Sequence, residues 1–97
     1  MAAMAVFRLV GEIRTAARSE VLPVLHELLA GGEVRETNTG FEVEAQLEGE
    51  SAQELNRTLL STLRRIERRT TLRAEWSSGR TIERYFDYVR KSTQPAR

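Results

Sequence analysis

The chain has 97 residues, 40% hydrophobic and 30% charged, with a formal net charge of +1, a composition that fits one globular domain with a single modest core and speaks against global disorder. It has no cysteine, so disulfides, thiolate zinc sites and cysteine nucleophiles are excluded. No apolar run approaches the roughly 18 residues that cross a bilayer, and the opening MAAMAVFRLVGEIR lacks a basic segment before its apolar stretch, which argues against a signal peptide and for a cytoplasmic protein with no membrane partner.

The first element is VFRLVGEIR. Phe7, Leu9, Gly11 and Ile13 alternate with Arg8, Val10, Glu12 and Arg14, the pattern of a half-buried strand. Ser19 then offers an N-cap, Pro23 falls in the first turn, and Val21, Val24, Leu25 and Leu28 recur at helical spacing. Gly31 and Gly32 end that helix, since glycine takes the left-handed conformation without a side-chain clash. EVRETNTGFEVEAQLEGE reads as a hairpin turning at Asn38, Thr39 and Gly40, with Phe41, Val43, Ala45 and Leu47 inward. Ser51 and Glu54 form a capping box before a second helix, whose apolar positions Ala52, Leu55, Leu59, Leu63 and Ile66 extend it to about Arg69. TLRAEW alternates again, with Leu72, Ala74 and Trp76 inward.

The order strand, helix, strand, strand, helix, strand is the pattern of an α+β ferredoxin-like βαββαβ sandwich. It implies a four-stranded antiparallel sheet of order 4-1-3-2 with two helices on one face. After it, Ile82, Tyr85, Phe86 and Val89 satisfy i, i+3, i+4, i+7, which favours a third helix. Their β-branched and aromatic character equally suits a strand hairpinned to the fourth through SSGR. Residues 1–91 are then one domain and residues 92–97, STQPAR, a flexible tail.

The stretch GEVRETNTGFEVEAQLEGE resembles the second and third strands of acylphosphatases, small ferredoxin-like enzymes. The likeness covers about a fifth of the chain and is mostly hairpin pattern. That family carries an asparagine soon after the VR of the second strand, where this chain has Glu36. It also binds phosphate in a glycine-bearing loop ending in arginine, where this chain has TAARS with Arg18 and no glycine. A carboxylate at Glu36 would repel an acyl phosphate, so the resemblance implies the fold and not the activity.

Charge is unevenly spread. Residues 1–50 carry four arginines against nine glutamates, net −5; residues 51–97 carry eleven basic against five acidic residues, net +6. In a compact domain the two halves are expected to interleave and neutralise each other. Five arginines crowd LRRIERRTTLRAEW, residues 63–76. On the second helix Arg57, Arg64, Arg65 and Arg68 fall on the outer face, and cations late in a helix favour the negative end of its dipole. A solvated face accounts for them; a nucleic-acid contact along that row is the alternative. The open sheet face should carry Arg8, Arg14, Glu42, Glu44, Glu48, Arg73 and Glu75, without the stacking aromatics of an RRM-type RNA binder.

Nothing assembles into catalytic or metal chemistry. His26 is the only histidine, Ser19 and Ser51 are given to caps, and AGGEV is a helix exit rather than a phosphate cradle. No catalytic residue, metal or cofactor is expected. Three of the six aromatics, Tyr85, Phe86 and Tyr88, fall within four residues, and with Ile82 they are the candidate protein interface. The reading is a small non-catalytic module that homodimerises or binds a protein partner. Nucleic-acid binding through the arginine row is the alternative, and a small-ligand sensor or enzyme with a site between subunits comes last.

Overall fold

A computed structural model describes residues 4–95. It is α+β: β1 (Ala5–Arg14), α1 (Arg18–Leu28), β2 (Glu33–Glu36), β3 (Gly40–Gly49), α2 (Ala52–Ile66), β4 (Thr71–Ser78), β5 (Thr81–Phe86) and β6 (Val89–Pro95). All strands join one antiparallel sheet in the order β2-β3-β1-β4-β5-β6. The sheet therefore has six strands, not the four expected. The expected order 4-1-3-2 lies inside it, and a hairpin prolongs it past β4.

Period-two alternation in β1, β3 and β4 puts Leu9, Ile13, Phe41, Val43, Leu72 and Trp76 on one face, all nearly inaccessible to solvent. Val21 and Leu25 of α1, with Leu59, Leu60 and Leu63 of α2, complete the same core cluster. Each such side chain contributes roughly 1.5–3 kcal/mol by leaving water. Gly40 opens β3 where a Cβ would stand 1.8 Å from the Ile13 carbonyl oxygen, so only glycine lets β3 close against the end of β1.

The helix ends differ in detail from those expected. Ala17, not Ser19, occupies the cap of α1 and makes no side-chain cap bond; Ser19 instead bonds Glu20, and Pro23 stands inside the helix. There the proline removes the backbone bond to the Ser19 carbonyl, and its ring crowds that oxygen. Ser51 does cap α2, its Oγ accepting the Glu54 N–H at 3.1 Å. The Glu54 carboxylate pairs forward with Arg57 instead of closing the capping box. α2 stops at Ile66, short of Arg69, with Glu67 at its C-cap in extended conformation.

Residues 81–95 form a hairpin rather than a third helix. Gly79, at φ +56°, supplies the left-handed residue of the two-residue turn between β4 and β5, and Asp87, at φ +55°, does so between β5 and β6. Glycine and aspartate both tolerate that region. The helical spacing of Ile82, Tyr85, Phe86 and Val89 is misleading because the period in use is two: Tyr85 points to the core, and Phe86 to the opposite face. Strand β6 runs to Pro95, pairing residues 92–95 with residues 81–84, where a tail was expected; residues 96–97 lie outside the described residues.

A polar link holds this hairpin. Asn56, buried on α2, accepts the Trp76 Nε1–H at 3.1 Å and donates Nδ2–H to the Asp87 carbonyl at 2.7 Å. Asp87 in turn exchanges bonds with Leu72, accepting its N–H at Oδ1 (2.9 Å) and donating its own N–H to the Leu72 carbonyl (2.7 Å). Asn56→Ala leaves an indole N–H and a carbonyl without partners, and is expected to lower unfolding free energy by about 2–4 kcal/mol, read as a drop in the urea midpoint with an unchanged slope.

Candidate functional site

The helices cover one face of the sheet and leave the other open. That open face is concave, with a volume of ≈ 720 Å³ bounded by Glu33 and Arg35 on one side, Lys91 on the other and Val10 in the floor. Val10, in the central strand, is 39% exposed, and Phe86 on β5 is 38% exposed. Val6 lies further along β1 and is more exposed still. Val6, Val10 and Phe86 are thus exposed apolar side chains among the charges of this face. Val10 is visible in the sequence as the one apolar residue among Arg8, Glu12 and Arg14, yet its place at the sheet's centre is not.

Most charges on this face are matched within the chain. Arg35 pairs with Glu42, Arg8 with Glu44 at 3.5 Å, Arg14 with Glu12 at 3.4 Å and Arg84 with Glu75 at 3.0 Å. Four are not. Glu33 and Glu48 take part in no ion pair among the described residues, and neither do Arg73 and Lys91. The Arg73 guanidinium lies 4.9 Å above the Phe86 ring, a cation–π contact that leaves its charge open to an anion. Two acids also sit directly opposite two others, Glu33 across from Glu44 and Glu12 across from Glu42, an arrangement that destabilises a sheet unless cations lie near.

The charges are sorted by side. Strands β2, β3 and β1, all from the acidic half of the sequence, form one contiguous half of the sheet, and β4, β5 and β6 from the basic half form the other. In the sheet the halves do not interleave, contrary to the expectation of mutual neutralisation.

The aromatic cluster expected to form an interface is divided three ways. Ile82 and Phe86 belong to the open face. Tyr85 is 4% exposed, packed on the helix side with its hydroxyl donating to Glu83 Oε1 at 2.8 Å. Tyr88 sits in the turn after β5, its hydroxyl 3.0 Å from Ser61 Oγ and its ring 5.1 Å from the Arg64 guanidinium carbon.

The four helix arginines do not form a row either. Arg57 is held by Glu54. Arg64 turns back to the fold, with Nε donating to the Thr70 carbonyl at 2.9 Å and a terminal nitrogen 3.3 Å from Asp87 Oδ2. Arg65 is exposed near the helix end, and Arg68 lies beyond it.

His26 is exposed on α1. Among the described residues no three His, Cys, Asp or Glu side chains are grouped to hold a metal ion, and no helix is long and apolar enough to cross a membrane. Arg18 is 3.1 Å from the Glu36 carboxylate and donates to the Thr37 carbonyl at 2.7 Å, so its charge is met within the chain. No protein-family model, curated protein or solved structure matches the chain.

Burial pushes the Tyr85 phenol up to about 12, helped by its hydrogen bond to the Glu83 carboxylate and that group's charge, and opposed by Arg90. The folded state thus holds this proton more tightly than the unfolded chain, whose phenol titrates near 10.0. Its contribution to stability is complete below pH 10 and is lost as pH rises toward 12. The urea midpoint of the wild type should fall more steeply across that window than the midpoint of Tyr85→Phe.

Arg64 and its neighbours separate structural from solvated arginines. Arg64→Ala removes two bonds and a stacking contact and should cost about 1–3 kcal/mol. Arg65→Ala and Arg68→Ala should each change the urea-derived stability by less than about 0.5 kcal/mol.

Proposed function

We propose that the chain is a small non-catalytic protein-interaction module, and that it works by covering the open face of its sheet with another protein surface, in its simplest form that of a homodimer. The observation that carries this reading is the face itself: concave, unprotected by either helix, with Val10 at its centre and Phe86 beside it. Interfaces place apolar and aromatic side chains at the centre and charges around them, which is the layout of this face.

Supporting it, Arg57 and Arg64 of the alternative nucleic-acid row are already bound within the chain. The frame fits a ferredoxin-like unit, because β2-β3-β1-β4 reproduces the order 4-1-3-2, prolonged by the β5–β6 hairpin that widens the docking face. A chain without cysteine needs no oxidising compartment, which is compatible with the cytoplasm.

The test is molar mass by light scattering on a size-exclusion column. The wild type is expected to run at twice the 11.1 kDa of the chain. Val10→Lys, on an exposed position, should keep its melting temperature and run at the single mass. A wild type that stays at the single mass up to its highest soluble concentration removes the homodimer; Val10→Lys that dimerises as tightly as the wild type removes the face.

A further inference from the structure

Resting on the reading that the open face self-associates, we infer that its occupant is a second copy turned about a two-fold axis that runs along the strands. In that orientation the acidic β2–β3 half of each copy lies over the basic β4–β6 half of the other.

Keeping the strands of the two copies aligned, one of the two common modes of face-to-face sheet packing, narrows the arrangements to two. Identical sheets packed face to face are related by a two-fold axis lying in the plane between them. An axis along the strands exchanges left and right, so the β2–β3 side of one copy meets the β4–β6 side of its mate. An axis across the strands keeps left over left, bringing acid against acid and base against base. The sheet order sets a net acidic half beside a net basic one, so charge selects between the two orientations. Like-charge juxtaposition of this kind disfavours the wrong arrangement.

The unmatched side chains divide the same way. Glu33 and Glu48, on β2 and β3, lack ion-pair partners among the described residues, and so do Arg73 and Lys91, on β4 and β6. The axis along the strands keeps each residue at its height on the sheet, so it carries Glu33 of one copy over the part of β6 that holds Lys91 in the other. It also brings cations toward the facing carboxylates Glu33 and Glu44, which Arg8 alone approaches in the monomer.

Size agrees as well. Six strands about 4.8 Å apart and about eight residues long span about 24 by 27 Å, or about 650 Å² before side-chain relief is added. A standard interface buries about 800 Å² per partner. Facing sheets pack about 10 Å apart with strands near alignment, and an axis along the strands keeps them aligned. Val10, on the central strand, then lies near the axis.

The deciding experiment exchanges charges on the unmatched residues alone, sparing the ion pairs within each chain. Arg73→Glu/Lys91→Glu makes both halves acidic; Glu33→Lys/Glu48→Lys makes both basic. Each variant alone should run at the single mass with a folded circular dichroism spectrum, and an equimolar mixture should recover the double mass, because every acidic half again meets a basic one. Wild-type association should also weaken several-fold from about 0.1 to about 1 M salt, as the screening length falls from about 10 Å to about 3 Å. Should either double variant fail to fold, Lys91→Glu with Glu33→Lys repeats the test as single substitutions. Variants that each dimerise as tightly as the wild type, or a mixture that stays at the single mass, overturn the orientation. If Val10→Lys still abolishes the dimer in that case, the docking face stands and only its geometry is wrong; a monomeric wild type overturns both.

Discussion

Asn56 is the hinge of the architecture. It is a carboxamide without access to solvent, and such a group is tolerated only when both its ends are bonded. Its oxygen takes the indole N–H of Trp76 on β4, and its nitrogen gives to the main chain of Asp87 between β5 and β6. One side chain therefore fixes α2 to the sheet's largest core residue and to the turn of the C-terminal hairpin. Asp87 passes the constraint on, to the Leu72 amide at 2.9 Å and to Arg64 at 3.3 Å. Among the described residues no buried side-chain nitrogen or oxygen is left without a partner. A network satisfied in this way specifies one arrangement of the hairpin over its alternatives.

Anchoring the hairpin makes the sheet wider than its cover. Two helices, each about 10 Å across, screen about 20 Å of a surface that six strands make about 24 Å wide. The hairpin answers on the helix side with its own polar cover: Glu83 receives the Tyr85 hydroxyl and lies 3.9 Å from Arg90. On the other side it adds Arg84, Phe86 and Lys91 to the open face. The same two strands that complete the fold thus supply one side of the candidate surface.

Alternation made β1, β3 and β4 legible, and Ser51 marked the start of α2, because these signals are local. The hairpin was not, since Ile82, Tyr85, Phe86 and Val89 fall at helical spacing while their β-branched and aromatic character suits a strand. The arbiter is a long-range bond from Asn56, which reads in sequence as one polar residue within an amphipathic helix. Tyr85 and Tyr88 show the same limit. Three residues apart, they end on the core and on the flank of α2, for reasons set by the parity of the strand and by Ser61 and Arg64. Val10 and the arginines on α2 could be placed on their faces from spacing, but which charges would be matched could not. Pairing depends on cross-strand register, and register brought Glu33 opposite Glu44.

The distribution of charge is a consequence of topology. After β1 the chain leaves through α1 and returns as the β2–β3 hairpin on one side; after α2 it returns as the meander β4–β5–β6 on the other. A sequence whose first half is acidic and second half basic must therefore give a sheet with one acidic and one basic side. Net charge near zero conceals this: the chain totals +1. A face carrying both signs at opposite edges is a poor match for a uniformly charged partner, whose charge would be repelled at one edge. Its best complement is a surface with the same two signs in reversed order, and a copy of the chain turned over along its strands is such a surface.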